Sequence, residues 1–166
     1  MIPARAFAGR TVAVFGLART GLGAVRALRA GGSAVIAWDD NAGARQAGAD
    51  SGASITPWRE WSWDDIAALI LSPGIPLTHP KPHEVVLHAK QAGVAVIGDV
   101  ELFAREIRPD HDAKGHAPVI AITGTNGKST TTALIGHILS SCGYAAEIGG
   151  NIGKSVLELG VRNGKP

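Results

Sequence analysis

Apolar residues recur along this chain at two spacings, and the alternation between them predicts the architecture. Thr11–Phe15 (TVAVF) and Ala34–Trp38 (AVIAW) are short β-rich runs, as are 67–71 (AALIL) and 94–97 (VAVI). Leu22, Val25 and Leu28 fall at helical spacing instead, and that pattern ends at Gly31 and Gly32, a natural helix stop. Residues 84–91, after a proline-rich approach at Pro76, Pro80 and Pro82, and 100–106 repeat the helical pattern. Apolar strands separated by helices in this rhythm predict an α/β fold, a Rossmann-like parallel sheet covered on both faces. Such sheets bind ligands beyond the carboxyl ends of their strands. The turns at Gly16, Asp39, Ser72 and Gly98 all fall there, so one rim is expected.

Further along, an apolar run at 119–122 reads as a strand that breaks into the loop ITGTNGKST, and a helical pattern follows over 131–142. Strand, glycine loop and helix N-terminus aim backbone N–H groups and a positive dipole end at one spot, which suits a phosphate. Gly124, Thr125, Asn126, Gly127, Lys128, Ser129 and Thr130 are the expected ATP-binding residues. Lys128 can reach the β- and γ-phosphates, and the Ser129 hydroxyl can ligate Mg²⁺. The loop is a shorter variant of the Walker pattern, with Ile122 where a glycine is usual. A helix-capping turn without a ligand is the plainer alternative. The polar stretch 108–117 (RPDHDAKGHA) reads as a linker. The predicted organisation is therefore a Rossmann-like unit over 1–107 and the start of a P-loop ATP-binding unit over 118–166.

The first turn offers Gly16-x-Ala18-x-x-Gly21 against the dinucleotide fingerprint, with Asp39 near the ~20-residue offset of a ribose-binding acid. By itself this fits a bare strand-to-helix turn, an NAD site or a nucleotide-sugar phosphate site. Composition narrows the classes. Hydrophobic residues make up 45% of the 166, enough for a real core. The formal net charge is only +2 and the basic residues are scattered, which argues against a nucleic-acid partner. No apolar run approaches the ~20 residues of a membrane span. The first nine residues lack the apolar core of a secretory signal, so a cytoplasmic location is expected. A single cysteine, Cys142, excludes an internal disulfide and is expected to act as a small buried hydrophobe near a helix end.

Other suggestive residues have plain readings. His79 and His83 are separated by prolines that prevent helical alignment, and no ligand set accompanies them. Trp58, Trp61 and Trp63 are expected to pack a loop onto the sheet. Asp64 and Asp65 read as helix N-terminal acids, and His111, Asp112 and His116 as solvated linker residues.

Four strings in order, GLARTG (16–21), SPGI (72–75), GDVELF (98–103) with ITGTNGKST, and GGNIG (149–153), resemble the Mur ligases of bacterial peptidoglycan synthesis. The resemblance spans nearly the whole chain, and SPGI with GDVELF favours the member that adds D-glutamate. Ala18 departs from the glycine common at that position. The resemblance implies an ATP-dependent amide ligase acting on UDP-N-acetylmuramoyl-L-alanine and D-glutamate through an acyl phosphate. It places Arg19 and Thr20 near the diphosphate and Asp39 and Asp40 at the uridine end. Ser72, Pro73 and Gly74 line the same cleft, and Asn151 contacts substrate near ATP. Lys128 and Ser129 are the catalytic residues it assigns, with Mg²⁺ on Ser129. It also implies a cytoplasmic, monomeric full-length enzyme with further metal ligands and a modified lysine downstream. This chain is then expected to be an inactive piece with an apolar face open to self-association. Other Mur ligases, an NAD(P)-dependent oxidoreductase and a non-catalytic nucleotide-binding module are the alternatives.

Overall fold

A computed structural model describes residues 1–107 and 118–160. Five strands form one sheet: β1 (Thr11–Phe15), β2 (Ala34–Trp38), β3 (Ser54–Ile55), β4 (Ile66–Leu71) and β5 (Val96–Ile97). Their order is β3-β2-β1-β4-β5, and every pairing is parallel. This is the α/β, Rossmann-like sheet expected, with its first strand at the centre and crossovers in both directions.

Both faces of the sheet are buried, and the two-residue strand period divides them. Val12, Val14, Ala68 and Ile70 face one core with Val25 and Leu28 of α1 (Arg19–Ala30) and Leu102 of α4 (Asp99–Ile107). Ala13, Phe15, Leu69 and Leu71 face the other with Val85, Val86 and Ala89 of α3 (Glu84–Gln91). Trp58 and Trp61 lie in that second core, so the tryptophan loop does pack onto the sheet. Trp61 Nε1 donates to Thr56 O at 2.9 Å, which satisfies the indole inside an apolar setting. His83 caps α3, its Nδ1 accepting from Val85 N at 3.2 Å, and its ring packs against Phe15 with centroids 4.7 Å apart. Asp64 and Asp65 fall in a one-turn 3-10 helix, Trp63–Asp65.

Apart from one-turn 3-10 helices, two elements have no counterpart in the sequence pattern: α2 (Ala42–Asp50), capped by Asn41 accepting from Ala44 N at 3.1 Å, and the two-residue β3. Helix α5 (Lys128–Ser141) follows the glycine loop as expected, starting slightly earlier. The strand expected at 119–122 does not form. Val119 and Ile120 are exposed, and among the described residues this run has no neighbouring strand to take its backbone groups. Cys142 is likewise corrected: it caps the C-terminus of α5 and is exposed, because α5 buries only Gly136. The linker assigned to 108–117 lies outside the described residues.

The stretch beyond α5 returns to the first unit. Val156 and Leu157 join the core beneath α1 and α4, and Ile2 N donates to Leu157 O at 2.8 Å. The second half of the chain thus supplies part of the first unit's core.

A candidate nucleotide-binding rim

The carboxyl ends of the central strands are stitched into one edge. Gly16 N donates to Trp38 O at 2.9 Å and Ser72 N to Phe15 O at 3.0 Å, which ties the turns after β1, β2 and β4 together. Ser72 Oγ then donates to Gly16 O at 2.7 Å. Gly16 has φ +90°, a conformation side chains resist, and a Cβ there would lie 2.7 Å from Ser72 Cβ. A Cβ on Gly21 would fall 1.9 Å from Gly16 O. The two outer glycines of the turn are therefore set by close approach of backbone, whereas the middle position tolerates Ala18, which is exposed.

Asp39 buckles this turn. Its Oδ2 accepts from Leu17 N at 2.6 Å and its Oδ1 from Asn41 N at 2.8 Å. Both carboxylate oxygens are thus committed to backbone amides. Arg45 braces the same corner: Nη1 donates to Asp39 O at 2.8 Å and to Asp40 O at 3.0 Å, with the guanidinium over the Trp38 ring. Asp40 accepts from Trp38 Nε1 at 3.2 Å.

Helix α1 opens on this edge with Ala18 as its N-cap, no side-chain cap and no acidic residue in its first turn. Its leading N–H groups and dipole end are left for an anion. Thr20 is half-buried beside them, and Pro73 and Gly74, just after β4, are exposed. The Arg19 side chain turns away, donating to Gly153 O at 3.1 Å and to Asn151 O at 3.5 Å. That brings the GGNIG segment, with exposed Asn151, to the start of α1.

Asp99, at the end of β5 and the start of α4, is buried. Burial pushes its carboxyl above the ordinary value of 3.8, while the amides of Val100 and of Asp99 itself pull it back less strongly. The folded state then binds a proton more readily than the unfolded chain, so the ionised group destabilises the fold. As pH rises from 3.8 through the raised folded value, wild type should lose stability relative to Asp99→Asn. Urea midpoints of the two proteins at stepped pH test this; a pH-independent difference would refute it.

The glycine loop of the second half is open. Gly124, Thr125, Asn126, Gly127, Lys128, Ser129 and Thr130 are all exposed. Gly127 caps α5 with φ +79° and no side-chain cap, so a 14-residue helix presents free N–H groups there. Lys128 Nζ folds over the loop onto the carbonyls of Gly124 and Thr125. The ammonium already sits at the loop mouth, where a phosphate would meet it. A loop of this kind could hold a nucleoside triphosphate, and Ser129, in the helix's first turn, is the hydroxyl that could ligate Mg²⁺. Among the described residues no cluster of three His, Cys, Asp or Glu stands ready to complete a metal shell.

The same G-x-x-G-K-S spacing recurs at 150–155 (GNIGKS). Its fate differs because only a one-turn 3-10 helix, Val156–Glu158, follows, and Ser155 is buried. A cleft of about 220 Å³ lined by Thr11, Trp61, Asp65 and Ile66 opens where β1 and β4 begin, away from the rim.

No protein-family model matches the chain. Among solved structures, the shikimate dehydrogenase of Aquifex aeolicus aligns with 61% of this chain and 47% of its own, at a TM-score of 0.46 and 13% identity. That likeness is too distant to bear on function. Curated proteins come much closer. UDP-N-acetylmuramoylalanine–D-glutamate ligases of Caulobacter sp. (strain K31) and Bradyrhizobium diazoefficiens are each 56% identical across 96% of this chain. The counterpart in Phenylobacterium zucineum is 55% identical over the same share. The chain spans 34% of the length of each. Over that third of their length, the chain is a homologue of the UDP-N-acetylmuramoylalanine–D-glutamate ligases.

Proposed function

We propose that the rim formed by Gly16, Thr20, Asp39, Asp40, Ser72, Pro73 and Gly74 binds the UDP end of UDP-N-acetylmuramoyl-L-alanine. In this reading the loop from Gly124 to Thr130 binds ATP. Residues 1–107 are the UDP-substrate unit, 108–117 the linker, and 118–166 the beginning of the ATP-binding unit. The observation that carries the reading is an uncapped α1 N-terminus on the rim of a chain 55–56% identical to these ligases.

The α1 amides receive the diphosphate, and the Thr20 hydroxyl donates to one of its oxygens. Asp39 holds the turn that aims those amides by fixing Leu17. Asp40 lies outside it for the uridine. On the ATP side, Lys128 swings from the Gly124 and Thr125 carbonyls to the terminal phosphates, and the amides that follow Gly127 neutralise added charge. Mg²⁺ bound through Ser129 would supply further charge neutralisation when an anionic carboxylate attacks the terminal phosphate. The complete protein would work in the cytoplasm as an ADP-forming, monomeric ligase that joins D-glutamate through an acyl phosphate. Because the chain spans a third of its relatives, we expect it to bind ligands without catalysing ligation alone.

Calorimetric titration tests the reading. UDP-N-acetylmuramoyl-L-alanine should bind saturably, and Thr20→Ala should weaken it about tenfold, the worth of one hydrogen bond to a charged oxygen. NAD⁺ should give no heat. Binding of NAD⁺ in place of the UDP-sugar would overturn the proposal.

A further inference from the structure

Helix α1 presents a stripe of Arg19, Gly23 and Arg26 at i, i+4 and i+7, and that stripe receives the segment 150–158. At the N-terminal end, the Arg19 guanidinium reaches the carbonyls of Gly153 at 3.1 Å and Asn151 at 3.5 Å. In the middle, a Cβ on Gly23 would lie 3.1 Å from Ser155 Oγ, so the Ser155 side chain rests against the helix backbone. Ser155 Oγ is buried there. At the far end, Arg26 pairs with Glu158. The segment is also closed on itself, with Gly150 N donating to Lys154 O at 2.8 Å.

We infer that Arg19 is a positioning residue: it clamps the 150–153 turn against the rim and so sets where Asn151 meets the substrate. This rests on the ligand assignment proposed above, together with the substrate contact that the resemblance implies for Asn151, and gives Arg19 a different task from direct contact with the diphosphate. The geometry supports that task in two ways. A guanidinium is a planar fork whose donors can serve two carbonyls at once, and both are taken up by the same turn. Those carbonyls belong to residues more than 130 positions away in the chain, so the bond joins the two halves of the molecule at the start of α1. Asn151 itself is exposed, and its side chain has no bond to hold it among the described residues. Its placement then depends on the backbone that Arg19 grips.

The test combines Arg19→Ala and Arg19→Lys with two readouts. Hydrogen exchange on the ligand-free protein should show the hydrogen-bonded amides of Gly150 and Ser155 exchanging about tenfold faster in Arg19→Ala, with the amides of β1 and β4 unchanged. Arg19→Lys, which keeps the charge but has a shorter side chain and no planar fork, should recover part of that protection. Titration should show UDP-N-acetylmuramoyl-L-alanine binding weakened about tenfold by Arg19→Ala while UDP alone binds as to wild type. Equal loss of UDP and of the UDP-sugar, with exchange unaltered, would make Arg19 a diphosphate ligand and overturn the inference. Unaltered exchange and unaltered binding would overturn it as well. Should wild type fail to bind the UDP-sugar, the functional proposal falls, and the exchange experiment still decides the clamp.

Discussion

Gly21→Ala is expected to lose roughly 3–5 kcal/mol of stability, the sum of an overpacked contact and a broken buried hydrogen bond. Its new Cβ would fall 1.9 Å from Gly16 O and 3.0 Å from Ser72 Oγ. Helix α1 cannot retreat, because Ala24, Val25, Ala27 and Leu28 anchor it fully in the core. The Gly16 carbonyl must therefore swing away, and Ser72, 7% exposed, loses the acceptor of its hydroxyl. For a domain of this size the shift in melting temperature should be on the order of 10 °C. Any protein that survives should lose UDP-sugar binding, since the same carbonyl shift displaces the amides at the start of α1. A variant that melts within about 2 °C of wild type would show that the turn is not packed as described.

Leu157→Ala should cost about 2–5 kcal/mol, the range for removing a buried leucine. Leu157 is fully buried and shares its core with Val12, Leu28 and Leu102, although more than a hundred residues separate it from most of them. This variant distinguishes two organisations of the chain. If residues beyond 118 packed only among themselves, truncating Leu157 would leave the sheet untouched. In the structure described here it opens a cavity beneath α1 and α4, so urea unfolding followed by tryptophan fluorescence at Trp58 and Trp61 should shift to lower denaturant. An unchanged midpoint would mean that the 156–157 segment is not part of this core.

The central sheet was legible because its strands are buried on both faces and read as unbroken apolar runs, TVAVF and AALIL above all. The rim followed from the turns that end those runs. Helix α2 was not legible: AGARQAGAD has no apolar stripe, and only Asn41 marks its start. The strand expected at 119–122 shows the converse limit, since an apolar run specifies a strand only when a neighbour is present to complete its ladder. For the candidate site, glycine spacing pointed to the turn and the G-x-x-G-K-S loop. Spacing could not reveal that Asp39 spends both oxygens on amides, or that Arg19 reaches across to 151 and 153. Both depend on contacts between distant parts of the chain. The second G-x-x-G-K-S at 150–155 makes the same point, as its buried serine belongs to the packing of α1.

The most direct measurement is an amide chemical-shift map of the chain titrated with UDP-N-acetylmuramoyl-L-alanine. The largest changes should fall on Leu17, Arg19, Thr20, Gly21 and Ser72, with Asn41 following through Asp39. Changes confined to the cleft of Thr11, Trp61, Asp65 and Ile66, or no change at saturating ligand, would contradict the assignment of the rim.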